Sequence, residues 1–127
     1  MSRTWGLWLP ALAQMAIIFG ASSIPDLTTL PGGLSDHTGH FIGYALLGAL
    51  VLRARAGGVW RGVTAQIGWQ AWLVAAVYGV TDEFHQRFVH GRTPDVHDWM
   101  ADAAGAGVAV IIGVVAAFGA RLEGREV

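Results

Sequence analysis

The sequence contains no cysteine and no lysine, and it has few charged residues of either sign. Without cysteine, disulfide bonds and thiolate chemistry are both excluded. Charged residues make up 13% of the 127 residues, against about a quarter in a typical soluble domain. The net charge of −1 gives no electrostatic reason to expect nucleic acid as a partner. The length is suitable for one domain, and its shortage of charge points to a membrane protein.

Four apolar runs separate the charged segments. A bilayer core of about 30 Å requires about 20 mostly apolar helical residues. The second run is uninterrupted only from Phe41 to Leu52, and it reaches spanning length when the helix extends from near Asp36 to Arg53. Breakers such as Pro31-Gly32-Gly33 and Gly57-Gly58 mark the loops between runs. The sequence therefore predicts one all-α domain over residues 1–127, an integral membrane bundle of four transmembrane helices at about 5–24, 37–54, 63–83 and 98–120.

The first run has a competing interpretation as a cleaved signal peptide. Arg3, the apolar stretch after it and the small residues Ala21-Ser22-Ser23 match that pattern. A complete span fits better, because the run is about 20 residues long and further apolar spans follow it.

Arginine placement predicts the orientation. Six arginines flank one set of helix ends and two flank the other, which by the positive-inside rule places both termini and the middle loop in the cytoplasm. We expect a multi-pass protein of a bacterial cell membrane, with the lipid bilayer as its main partner and a homo-oligomer as a further option. The inner arginines are Arg3, Arg53, Arg55, Arg61, Arg121 and Arg125, and the outer ones are Arg87 and Arg92.

The outward segments hold most of the residues that can do chemistry. All five histidines and seven of the nine carboxylates lie there, so this side has a formal charge of −5 and the inner side +4. An ionisable group within a span is costly and by default indicates a functional site. The carboxylates are Asp26, Asp36, Asp82, Glu83, Asp95, Asp98 and Asp102, and the histidines are His37, His40, His85, His90 and His97.

Helical spacing aligns several of these residues. Residues four apart share one face of a helix, which groups Asp36, His40 and Tyr44 on the second helix and Asp98 with Asp102 on the fourth. Glu83 and Gln86 are neighbours on the third, where Tyr78 and Asp82 are also paired. We predict a polar pocket at the outer leaflet formed by helices two to four. Its predicted ligand-binding residues are Asp36, His40, Tyr44, Glu83, Gln86, Arg92, Asp98 and Asp102.

Several of these residues also have a purely structural interpretation. Ser35 can cap the second helix, with Asp36 favoured in its first turn, and Asp95 or Asp98 can cap the fourth. Arg92 can simply pair with a nearby carboxylate. His90, His97 and Asp26 are interpreted as exposed loop residues.

The motifs resemble the VanZ-like family, which is named after an accessory protein of glycopeptide-antibiotic resistance. The resemblance runs from about residue 20 to residue 110. It implies a membrane protein with its polar motif at one face and suggests a link to antibiotic resistance, but it implies no defined reaction. His37 stands where the family often has lysine, and Asp102 where it often has asparagine. The matching elements are Ser22-Ser23-Ile24-Pro25, Asp36-His37 with His40 and Tyr44, Tyr78 to Gln86, Gly91-Arg92, and Asp95-Val96-His97-Asp98 with Asp102 and Gly105.

Recognition of a lipid headgroup or a cell-envelope precursor is the favoured function. Arg92 is suited to clamp a phosphate or carboxylate. Carboxylates such as Asp36 can accept hydrogen bonds from amines or sugar hydroxyls, and Gln86 can serve either role.

A membrane-embedded hydrolase or transferase acting on a lipid-linked substrate is the first alternative, and whether the chain is an enzyme stays open. His40, Glu83 and Asp98 are its catalytic candidates, with Asp36 orienting His40. No cofactor is predicted, but His40, Glu83, Asp98 and Asp102 leave a divalent metal as an option.

Two further alternatives place no ligand in the pocket. The outer cluster can be a structural polar cap that fixes the bundle. It can also be a proton path, with Asp102 and His40 as carriers, although four helices leave little room for alternating access.

Overall fold

The computed structural model describes residues 2–25, 32–33 and 35–124 and confirms the all-α prediction. The described residues form four α-helices, joined in one place by a short 3-10 turn at Trp60–Gly62, and they include no β-strand. Every helix end lies within three residues of the predicted span. Asp26 and Arg125, which entered the charge count above, lie outside the described residues. The helices are α1 (Arg3–Ser22), α2 (Asp36–Arg55), α3 (Ala65–Gln86) and α4 (Val96–Leu122).

Side-chain caps fix where three helices begin. The Ser35 hydroxyl accepts the backbone N–H of Thr38 at 3.1 Å at the start of α2, and the Thr64 hydroxyl caps α3 in the same way. The Asp95 carboxylate accepts the backbone N–H of His97 at 2.9 Å and caps α4. Each cap contributes about 1 kcal/mol. Ser35 and Asp95 are therefore caps as predicted, while Asp98 lies one turn further along.

Helices α2 and α4 form the most extensive contact in the bundle. A Cβ atom at Gly105 would lie 2.1 Å from the Phe41 carbonyl oxygen, and one at Gly48 would lie 3.0 Å from the Ala106 Cα. Only glycine leaves room for two backbones this close. The two helices are thus locked in one register, which positions every polar residue that they share.

Two indole groups join α3 to α4. The Trp72 Nε1–H donates to the Ala103 carbonyl at 2.9 Å, and the Trp99 Nε1–H donates to the Ala76 carbonyl at 3.0 Å. The bonds run in opposite directions between the helices. Each bond satisfies the polar atom of an indole ring that packs between the two helices.

Arginine side chains gather at one end of the bundle. Arg3 donates to the Gly57 carbonyl at 3.0 Å, and Arg53 donates to the Leu7 carbonyl at 3.5 Å. Arg121 donates to the Val63 carbonyl. The beginnings of α1 and α3 therefore meet the ends of α2 and α4, so neighbouring helices in the chain run antiparallel. Apart from Glu123, which follows the end of α4, the described acidic residues and histidines lie at the opposite end.

Large apolar side chains are exposed on all four helices. Two helices, α1 and α4, are long and apolar enough to cross a membrane by length and composition. The other two carry more polar residues, which lowers their mean hydropathy, but they too expose apolar side chains. Exposed examples are Leu9 and Ile17 on α1, Ile42 and Leu46 on α2, Val77 and Val80 on α3, and Ile111, Ile112 and Val115 on α4.

Candidate functional site

The imidazole of His40 is the centre of the polar end. Its Nδ1 lies 2.6 Å from Asp102 Oδ1, and its Nε2 lies 3.6 Å from Asp36 Oδ2 and 3.9 Å from Asp98 Oδ2. Both nitrogens therefore face carboxylates. The ring and Asp102 are buried between α2 and α4, so the predicted stripes on these two helices do meet.

Helix α3 adds three polar side chains beside this pair. The Tyr44 hydroxyl donates to Asp82 Oδ2 at 3.3 Å, and Asp82 is buried. Glu83 Oε2 accepts the backbone N–H of Asp95 at 2.9 Å, which fastens the third loop to α3. Gln86 is 1% exposed. Within the described ranges, Glu83 Oε1 and Gln86 Nε2 have no hydrogen-bond partner.

Arg92 reaches the cluster from the third loop. Gly91, with φ of 74°, provides the left-handed turn before it. The Arg92 side chain is only 5% exposed, and its Nη2 lies 3.8 Å from Asp36 Oδ1. Arg92 therefore pairs with a carboxylate, as its structural interpretation predicts. Its predicted role as a phosphate clamp stays a prediction.

A more exposed layer of charges covers the buried one. His37 Nε2 lies 3.0 Å from Asp98 Oδ1 and 3.7 Å from Asp95 Oδ2. Hydrogen bonds from the backbone N–H of His97, and then from its ring, hold the pKa of the Asp95 carboxyl below its ordinary value of 3.8. His90 and His97 are exposed, as predicted, but His97 lies in the first turn of α4 and not in the loop.

A cavity of about 170 Å³ opens beside His40, between α1, α2 and α3. The sequence predicted the pocket among helices two to four, but helix α1 supplies one of its walls. Four of the predicted ligand-binding residues, Asp36, His40, Tyr44 and Arg92, line the cavity, whereas Glu83, Gln86, Asp98 and Asp102 do not. Asp98 and Asp102 lie on the α4 side of His40, because the close approach at Gly105 presses α4 against α2. The other polar lining residues are Gln14, Ser22 and Asp82, and the apolar lining includes Ile17, Ile18 and Ala21.

The cavity residues that were absent from the predicted ligand-binding set include Asp82 and Gln14. Asp82 was paired with Tyr78 by spacing, but the Tyr78 hydroxyl donates to the Met15 carbonyl, and Asp82 faces Tyr44 instead. Gln14 donates from Nε2 to the Gly43 carbonyl at 3.0 Å and so ties α1 to α2. For Gln14 the sequence did contain a signal, because a polar residue in the middle of an apolar run needs a hydrogen-bond partner inside the bundle.

His85 lies on the α1 side of the same end. Its ring stacks on Phe19 with centroids 4.3 Å apart, and its Nε2 is 3.4 Å from the Ser23 hydroxyl. These contacts give His85 a packing role between α1 and α3.

The donor atoms fall into three overlapping groups that could each hold a metal ion. The deepest comprises His40, Asp82, Glu83 and Asp102, each offering one atom within 4.8 Å of the others. The other two groups share Asp98, one with Asp36 and His40, the second with His37 and Asp95. Of the catalytic candidates, His40 and Glu83 belong to the deepest group and Asp98 to the other two. The imidazole and a neighbouring carboxylate are also the groups that general acid–base catalysis uses to transfer protons.

A family model described as VanZ/LLP1 matches residues 7–117 of the chain. The match includes all of α2 and α3, most of α1 and α4, the third loop and every residue of the polar cluster. No curated protein and no solved structure matches the chain significantly.

Proposed function

The chain belongs to the VanZ/LLP1 family, and from this premise we propose that it is a multi-pass protein of the bacterial cell membrane that recognises a polar headgroup at the outer leaflet. The headgroup combines a phosphate with amine or hydroxyl groups, as in a membrane lipid or a lipid-linked envelope precursor. One domain over residues 1–127 carries this function. A link to antibiotic resistance rests on the family name alone.

The side chains exposed along the helices support four membrane spans. Each helix is about as long as a bilayer core is thick, and each exposes large apolar residues. A soluble monomer rarely exposes apolar surface on this scale. The gathering of arginines at the opposite end from the carboxylates supports cytoplasmic termini under the positive-inside rule.

Single-cysteine labelling tests this topology, since the chain has no cysteine of its own. A membrane-impermeant maleimide should label His90→Cys in intact cells, whereas Trp60→Cys and Glu123→Cys should react only after permeabilisation. All three residues are exposed. Labelling of Trp60→Cys from outside would favour a protein in which only α1 and α4 cross the bilayer, and labelling of Glu123→Cys would reverse the orientation.

The observation that carries headgroup recognition is the make-up of the cavity walls. Arg92 and Asp36 present opposite charges on one side, 3.8 Å apart. Guanidinium suits phosphate, and carboxylate suits an amine or hydroxyl donor. Ile17 and Ala21 form the other side. An amphiphile could place its headgroup on the charged side and its apolar part along α1.

Native mass spectrometry with added phosphatidylethanolamine tests the proposal. Arg92→Gln should weaken lipid binding about tenfold or more, because a hydrogen bond to a charged group contributes about 1.5–3 kcal/mol. Arg87→Gln is the matched control, with the same charge change on an exposed side chain near the end of α3. Equal lipid binding by both variants would leave the structural polar cap as the better account of the cluster.

A further inference from the structure

We infer that the junction of α2, α3 and α4 is a site for a divalent cation, with His40, Asp82, Glu83 and Asp102 as its ligands. One donor atom from each residue lies within 4.8 Å of the other three. Atoms bound to one ion at about 2.0–2.2 Å lie at most about 4.4 Å apart. The four atoms therefore have to move inward to bind one ion, which rotation of the side chains can provide.

Unpartnered buried oxygens are the second observation. Asp102 is 0% exposed, and its Oδ1 pairs with His40, but its Oδ2 has no hydrogen-bond partner in the described part of the chain. Glu83 Oε1 is likewise buried without one. A carboxylate oxygen that has lost its water and gained no partner is costly. A bound cation would satisfy both atoms together.

The local geometry directs the spare Asp102 oxygen toward α3. A Cβ atom built on Gly79 would lie 3.0 Å from Asp102 Oδ2, so α3 passes close to this atom at a residue without a side chain. Asp82 and Glu83 follow one helical turn later and share that face. The absence of a side chain at Gly79 keeps the space between α3 and α4 open.

The charges of the cluster also favour a cation. Asp36 and Asp98 flank His40 Nε2, which brings five carboxylates around one imidazole, with Arg92 beside Asp36. Partly buried like charges are stable only when protons or cations neutralise them. A divalent ion would supply two charges at the deepest point of the cluster.

His40 has carboxylates beside both of its ring nitrogens. A metal-binding histidine usually donates its second N–H to a carboxylate, which fixes the tautomer and raises the basicity of the ligand nitrogen. Nδ1 lies 2.6 Å from Asp102 Oδ1, and an ion bound by both residues would take the place of that contact. Nε2 would then face Asp36 and Asp98, which lie 3.6 and 3.9 Å away and need only a small approach to accept its N–H.

The two outer groups are weaker candidates for the same ion. They rely on His37, which is 56% exposed in its side chain, or on Asp36, which already pairs with Arg92. Asp36, His37, Asp95 and Asp98 belong only to the outer groups. Within the described part of the chain, none of their side-chain donor atoms is both buried and without a hydrogen-bond partner. One imidazole with three carboxylates suits Mn²⁺ or Zn²⁺.

Metal titration of the full-length protein in detergent tests the site. Chelator-treated protein should take up one equivalent of Mn²⁺ or Zn²⁺ by elemental analysis, and loading should raise its unfolding temperature by mass action. Asp82→Asn and Asp102→Asn should each weaken uptake at least about tenfold, the lower end of losses for residues that merely support a metal ligand. Asp95→Asn is the matched control, since Asp95 belongs only to an outer group. Each variant must elute as a single species on gel filtration.

Arg92 lines the proposed headgroup pocket but is not a ligand of the ion, so Arg92→Gln should retain the metal even where it loses lipid. Failure of wild-type protein to bind either ion would overturn the inference. Unchanged binding by both Asp82→Asn and Asp102→Asn would overturn it as well. Loss of metal in Asp98→Asn alone would move the site to an outer group and reject the deep one.

Discussion

A single methyl group at Gly105 should disrupt the contact between α2 and α4. The Cβ atom of Gly105→Ala would lie 2.1 Å from the Phe41 carbonyl oxygen and 2.9 Å from its carbon, whereas real Cβ contacts essentially never fall below 3.0 Å. The opposing atoms belong to the backbone of α2, so no side chain can rotate away. The helices must therefore separate by about 0.9 Å, the difference between 3.0 and 2.1 Å.

This separation should lower the unfolding free energy by about 2 kcal/mol. Overpacking a well-packed interface costs typically about 1–3 kcal/mol, and a clash with backbone belongs at the upper end of that range. Replacing glycine by alanine in a helix recovers at most about 1 kcal/mol. A shift of α4 also moves Asp102 away from His40, and their 2.6 Å contact would lengthen.

Two glycines on the same helix provide graded controls. A Cβ atom at Gly119 meets nothing within 4 Å, and one at Gly107 meets the Trp72 ring at 3.4 Å. Gly119→Ala should be neutral or slightly stabilising, and Gly107→Ala should have a small effect. Reversible unfolding of detergent-purified protein in increasing SDS measures all three. Equal unfolding midpoints for Gly105→Ala and Gly119→Ala would refute the close approach of α2 and α4.

Three further perturbations can be measured by the same unfolding assay. Ser35→Ala removes the cap of α2 and should cost about 1 kcal/mol, whereas Ser35→Asp should keep most of it. Trp72→Phe leaves a carbonyl of α4 without its donor and should cost about 1–3 kcal/mol; no loss would mean that the indole bond contributes nothing. The Asp95 carboxyl has a pKa lowered from 3.8 by His97, so its stabilising effect is present above 3.8 and is lost as the pH falls through the lowered value. The stability gap between wild type and Asp95→Ala should thus narrow below pH 3.8, and a gap independent of pH would contradict this.

The helices were predictable because the signals that define them are local. Apolar runs bounded by breakers place all four helices to within three residues, and Ser35 is recognisable as a cap by its residue type and position. The same holds for the stripe of Asp36 and His40, since both lie on one helix and their spacing alone sets their shared face.

The arrangement of the helices was not predictable in the same way. Gly48 and Gly105 are small residues of the kind that allow close packing of helices, but spacing cannot say which helix each one meets. Pairing Asp82 with Tyr78 followed the spacing on α3 alone, whereas the structure directs Asp82 to Tyr44 on another helix. The wall contributed by α1 was missed for the same reason, because contacts between helices depend on tertiary packing.

Mean hydropathy understates the apolar character of α2 and α3, because it averages over faces that meet different surroundings. On α3, Asp82 and Gln86 are 4% and 1% exposed, while Val77 and Val80 are 54% and 55% exposed. Polar residues that face the bundle interior do not have to be solvated by lipid, so they do not oppose insertion in proportion to their hydropathy. A helix can therefore carry a polar site on its inner face and still present an apolar surface outward. This supports four spans rather than two, and the labelling of Trp60→Cys decides between them.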